Sequence, residues 1–202
     1  MILTKIDLDL RSQSARQALV DCEDMHRNVQ ALFGKKREDA GVLYRTQKSD
    51  KGCSVYILSS NAPEFDERAV HNGMIFVGSR DMAAVESMFT VGRMFRFDLL
   101  TMPAKKELDR TRKNSQRRIL RDPAERMDWI EKKAEQGGFR LISVSEEESE
   151  TLHARKSSGD LWLHTVRFSG SFRIEKPDMF LDTWKHGIGP EKAYGLGMLM
   201  VR

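Results

Sequence analysis

The sequence predicts an α+β fold built twice over, on three observations. Apolar residues alternate at period two near the start, each half holds a helical pattern with end signals, and the order β-α-β-β-α-β recurs. Over 2–10, Ile6, Leu8 and Leu10 alternate with Lys5, Asp7 and Asp9, which marks a half-buried strand. A helical region follows, in which Ala18, Cys22, Met25, Val29 and Leu32 recur at four-three-four-three spacing. Asp21 to Asp24 supply an acidic first turn, and Gly34 stands where a C-terminal cap belongs. Residues 41–46 and 53–59 read as strands joined by a polar turn. Residues 73–78 read as a fourth strand after an ill-defined stretch with room for a short helix.

The second cycle opens near Arg93. Phe95, Phe97 and Leu99 share one strand face while Met94, Arg96 and Asp98 share the other. Asp122-Pro123-Ala124-Glu125 is a helix start with an Asp cap, proline at the first position and a Glu behind it; Gly137-Gly138 ends that helix. Residues 139–144 and 162–174 read as strands, the second with Trp162, His164, Val166, Phe168, Phe172 and Ile174 on one face. A short helix over 177–186 and a last strand over 194–201 complete the cycle. The prediction is two tandem ferredoxin-like domains, residues 1–88 and 92–202, the arrangement that also underlies RNA-recognition modules.

The chain has 202 residues, 40% of them hydrophobic, enough for real cores. Its net charge is only +4, but the stretch 104–121 holds eight cations against two anions, a local +6 that leaves the remainder at −2. Two cysteines, Cys22 and Cys53, exclude a secreted disulfide framework and point to the cytoplasm. No stretch is long and apolar enough to cross a bilayer, and no signal-peptide core is present, so no membrane partner is expected.

Four features carry candidate chemistry. GIGPEKAYGLG, 187–197, packs four glycines with Lys192 and Tyr194. Glycine-rich backbone can approach a polyanion closely, and it also serves tight turns. His26 sits at the edge of the apolar stripe of the first helix, placed either to transfer protons or to bond a carbonyl or Glu23. Cys22 and His26 make half a metal site with no second pair, so no metal is expected. The cationic stretch reads as a mobile basic arm that follows an RNA groove, with Arg167 and Arg173 able to continue the track. His164 reads as a core histidine, and Trp129 and Trp184 as helix packing.

These motifs together resemble the CRISPR repeat-processing endoribonucleases of type I-E systems, the CasE family of RAMP proteins. The resemblance is carried by ILTKIDLDLRS at the start, Met25-His26-Arg27, the helix over 122–139, His164-Thr165-Val166-Arg167-Phe168-Ser169-Gly170, and GIGPEKAYGLGML at the end. It implies a metal-independent ribonuclease with no cofactor. Such an enzyme cuts a repeat hairpin at the 3′ base of its stem, leaves a 2′,3′-cyclic phosphate and keeps the guide RNA within the Cascade complex. His26 matches the family's catalytic histidine. A tyrosine usually stands three residues before it, where this chain has Glu23; that carboxylate either favours protonated imidazole or points away. RNA contacts are implied for Arg27, Lys105, Lys106, Arg110, Arg112, Lys113, Arg117, Arg118, Arg167, Gly187, Gly189, Lys192, Tyr194, Gly195 and Gly197. A non-catalytic hairpin-binding subunit and a protein-binding scaffold are the rival readings.

Overall fold

A computed structural model describes residues 1–34, 40–50, 52–107 and 116–202, without the side chains of 116 and 148–150. The first half runs β1 (Ile2–Leu8), α1 (Gln13–Val20), α2 (Cys22–Ala31), β2 (Leu43–Ser49), β3 (Gly52–Ser59), α3 (Glu67–His71), β4 (Met74–Asp81) and a single turn, α4 (Ala83–Glu86). Its sheet has the order β2-β3-β1-β4, antiparallel throughout, with Ile6 opposite Val55 on one side and Phe76 on the other. The second half runs β5 (Met94–Thr101), β6 (Ala104–Glu107), β7 (Gln116–Ile119), α5 (Pro123–Gln136), β8 (Phe139–Lys156), β9 (Gly159–Ile174), α6 (Pro177–His186), a 3-10 turn (Lys192–Tyr194) and β10 (Leu199–Val201). Its sheet order, β10-β5-β9-β8, repeats the fourth-first-third-second pattern of the first. Both sheets thus have ferredoxin-like topology, as the alternation predicted.

Local chemistry explains the element boundaries. The Asp122 side chain accepts from Ala124 N at 2.8 Å and Pro123 opens α5, while Gly138, at φ +77°, ends it. Trp129 and Trp184 are buried with Phe168, Phe172 and Phe180 in the larger core. That core also takes Leu43 and Leu58 from the first sheet, so apolar contact runs from one half into the other.

Several expectations are corrected. The helical region over 18–32 is two helices, broken at Asp21, whose backbone is extended (φ −117°, ψ 108°). The apolar spacing crosses the break because both helices bury their stripes in one core, Ala15 and Ala18 from α1, Met25 and Val29 from α2. The basic arm is in its described part a hairpin, β6 paired with β7. The strand expected over 139–144 continues to Lys156, and the last strand begins only at Leu199.

His164 is no core histidine: it and Trp162 are exposed, while Leu163 and Thr165 face inward. Strand β9 buries opposite faces at its two ends. Phe168, Phe172 and Ile174 pack under α5 and α6, whereas Leu163 joins Met102, Ala154, Tyr194 and Leu196 in a separate small core. Cys22 of α2 packs against that small core, so the long β8–β9 hairpin reaches the first half.

Candidate active site

Helix α2 is started by one carboxylate with two duties. Asp21 is 5% exposed, and its Oδ1 accepts from Glu23 N at 3.0 Å and from Arg155 N at 3.1 Å. The first bond caps the helix; the second ties it to the tip of the β8–β9 hairpin. Met25 and Val29 anchor the buried stripe, which leaves His26 half-buried at its edge, with ring Nδ1 enclosed. Arg27 is exposed and pairs with Asp24, beside a depression lined by Asn28, Arg68 and His71.

The 3-10 turn brings Tyr194 against this helix edge. The buried phenol donates to Glu23 Oε2 at 2.9 Å, and its ring meets the His26 imidazole edge-on, centroids 6.1 Å apart. Lys156, from the hairpin tip, lies 5.0 Å from the Tyr194 ring centre. Burial pushes the Tyr194 phenol up, and the nearby Tyr194 side chain raises the Lys156 ammonium. Both stay protonated near neutrality, one a neutral donor and the other a cation.

The glycines of 187–197 have an internal reason to be glycine. Gly187, Gly189, Gly195 and Gly197 all have φ between +74° and +93°. A Cβ at Gly189 would stand 2.3 Å from Thr101 Oγ1, and one at Gly195 3.0 Å from the Tyr44 ring. The loop is also pinned: Ile188 N donates to Gly197 O at 2.8 Å, Gly197 N to Leu100 O at 2.8 Å, and Tyr44 Oη to Ala193 O at 2.8 Å. The segment is a rigid platform for Tyr194.

Beside the same platform lies an open depression of about 660 Å³. Its lining includes Lys105, Lys106 and Arg117 of the β6–β7 hairpin, Lys132 and Lys133 of α5, and Lys192 of the loop, with no carboxylate among the described residues. Gly187 and Gly189 also line it. Lys192 and Tyr194, two residues apart, thus join the cationic surface to the imidazole.

Other expected RNA contacts are engaged within the protein. Arg118 bonds Glu107 and, through Nη1 and Nη2, Glu125 at 2.9 and 2.8 Å. Arg117 reaches Glu191 at 3.0 Å and Lys105 lies 3.9 Å from Glu125. Arg167 donates through Nε to Asp98 at 2.8 Å and lies 3.5 Å from Glu147. Arg110, Arg112 and Lys113 lie outside the described residues. Sequence reasoning missed Tyr44, Lys132, Lys133 and Lys156, and read Asp21 only as part of an acidic first turn. The adjacent lysines on an exposed helix turn were a usable signal, as was Lys156-Ser157-Ser158-Gly159, a two-residue hairpin loop.

Two ferredoxin-like sheets with a half-buried imidazole joined through one loop to a cationic depression define a nucleic-acid-handling protein of the RNA-recognition type. A family model described as CRISPR associated protein matches residues 1–202, and the chain belongs to that family. It is 29% identical to the CRISPR-associated endoribonuclease Cse3 of Thermus thermophilus, over 100% of this chain and 99% of that one. Its fold is similar to that of CRISPR endoribonuclease Cse3 bound to a 19-nucleotide RNA, with TM-score 0.85, 28% identity and all of both chains covered. It is also similar to T. thermophilus Cse3 bound to an RNA representing a pre-cleavage complex, with TM-score 0.84, 28% identity, and 100% and 98% of the two chains covered. Cas6e from Escherichia coli shares the fold, with TM-score 0.76, 22% identity, and 100% and 98% covered.

Proposed function

We propose that this protein is an endoribonuclease that cuts CRISPR repeat transcripts at the 3′ base of the repeat hairpin. It then holds the guide RNA as a subunit of a Cascade surveillance complex. The observation that carries the reading is His26, half-buried beside a tyrosine whose own loop opens onto a depression lined by six cations. Full-length similarity to a Cse3 endoribonuclease supports the same assignment.

The chemistry needs a 2′-hydroxyl oxygen to attack the adjacent phosphorus while the bond to the 5′-oxygen breaks. The hydroxyl proton leaves to a base, and the departing 5′-oxygen takes a proton from an acid. His26 is assigned the acid/base role. Lys106, Lys132, Lys133 and Lys192 supply phosphate contacts that fix the hairpin's register without reading its sequence. With this reading go a division of the chain into units 1–88 and 92–202 and a cytoplasmic place of work. Among the described residues no helix is long and apolar enough to cross a membrane.

The test is incubation of a labelled repeat hairpin with the protein in excess EDTA. One discrete cut ending in a 2′,3′-cyclic phosphate is expected. His26→Ala should slow it at least ~100-fold while hairpin affinity stays within about twofold. Tight binding without cleavage by the wild type would establish the non-catalytic reading instead.

A further inference from the structure

We propose that Tyr194 is a positioning residue for His26 and that Glu23 is the latch that holds it. The claim rests on the nuclease reading for its purpose but stands on geometry of its own. Glu23 and His26 are one helical turn apart on α2, and Tyr194 touches both, its hydroxyl on the carboxylate and its ring on the imidazole. Backbone, latch, phenol and imidazole form a closed loop, so the ring of His26 is braced from a point fixed to its own helix.

A purely space-filling role does not account for the hydroxyl. A buried phenol O–H costs free energy unless it is paired, and phenylalanine would fill the same space without that cost. The phenol is also fixed from behind. Tyr44 bonds the carbonyl of Ala193 and packs against Gly195, so Tyr194 has rigid residues on both sides. A brace of this kind works by holding the imidazole near its reacting orientation, where small misplacements cost large factors in rate.

The decisive experiment compares Tyr194→Phe, Glu23→Ala, the double variant and Glu23→Gln in single-turnover cleavage of the repeat hairpin and in hairpin binding. Either single loss of the latch should slow cleavage about tenfold with affinity within twofold. The double variant should be no slower than either single one, because both remove the same hydrogen bond. Glu23→Gln keeps an acceptor oxygen and should cut near the wild-type rate. The imidazole NMR signals of His26 should move in Tyr194→Phe and Glu23→Ala but not in Glu23→Gln. Multiplying losses, an effect confined to affinity, or unmoved imidazole signals would overturn the proposal. A wild type that cuts no hairpin would overturn the nuclease reading alone, since the imidazole signals still decide whether the brace exists.

Discussion

Asp98 shows how a charged side chain survives between the two sheets. Only 9% exposed, it bonds Arg45, itself 8% exposed, and Arg167 from the neighbouring strand. Burial pushes its carboxyl up, but hydrogen bonds from Arg167 and Arg45 and the charge of both outweigh this and hold it below its usual range. Asp98→Asn strands a buried guanidinium. The expected cost is about 3 kcal/mol, the lower end for a broken buried pair, because Arg167 is partly solvated. For a chain of this length that is a fall of roughly 6–12 °C in Tm. The folded value lies below the unfolded one, so this stabilisation is complete above about pH 4 and is lost as pH falls through the folded value. A thermal series from pH 7 downward should show the gap between wild type and variant closing only on the acid side. At Cys22, burial and then the charge of Asp21 push the thiol up to about 12. Its alkylation by iodoacetamide at pH 8 should run about a thousandfold slower than in the unfolded chain, measured by mass spectrometry.

Among elements, the β6–β7 hairpin separates what the sequence discloses from what it hides. Its register sets Lys105 opposite Arg118 and Lys106 opposite Arg117, like charges that on their own disfavour pairing. Glu107 and Glu125 offset the repulsion at Arg118, and Glu191 does so at Arg117 from a distant loop. No local pattern announces that compensation, which is why the segment reads as an arm. The same ion pairs divide the cations by role. Lys106→Ala and Lys132→Ala should each lower the steepness of the log affinity against log salt plot by about one or less. Arg118→Ala should leave that slope nearly unchanged while loosening the hairpin. The capped helix α5 was legible because proline, aspartate and glycine act within a few residues of themselves. The buried faces of β9 were not, because their switch depends on which partner covers each end. Within the resemblance His26 is marked by its neighbours Met25 and Arg27; the phenol it meets is supplied from 168 residues away and no spacing reveals it.

At the scale of the molecule, both ferredoxin-like sheets could be read from alternation, yet their apolar interiors are not separate. Leu43 and Leu58 lie in one core with Phe97, Leu99 and Met198. A fragment of residues 1–88 would expose those two leucines. It is expected to bind a hydrophobic dye and to melt without a sharp transition, whereas the full chain melts cooperatively. A fragment with a sharp transition near that of the whole chain would show that the units are thermally independent.

The bond between Asp21 and the backbone of Arg155 makes the β8–β9 hairpin a ruler. Strands advance about 3.4 Å per residue, and only even steps keep the same side chains on the same face. Trimming two residues from each strand would therefore leave the remaining side chains on the faces they hold now yet withdraw the tip by about 7 Å. Lys156 would then lose Tyr194, and α2 would keep its cap but lose its outside tether. Loop grafts between relatives should thus exchange freely at Ser157-Ser158 and fail when the ladder beneath is shortened.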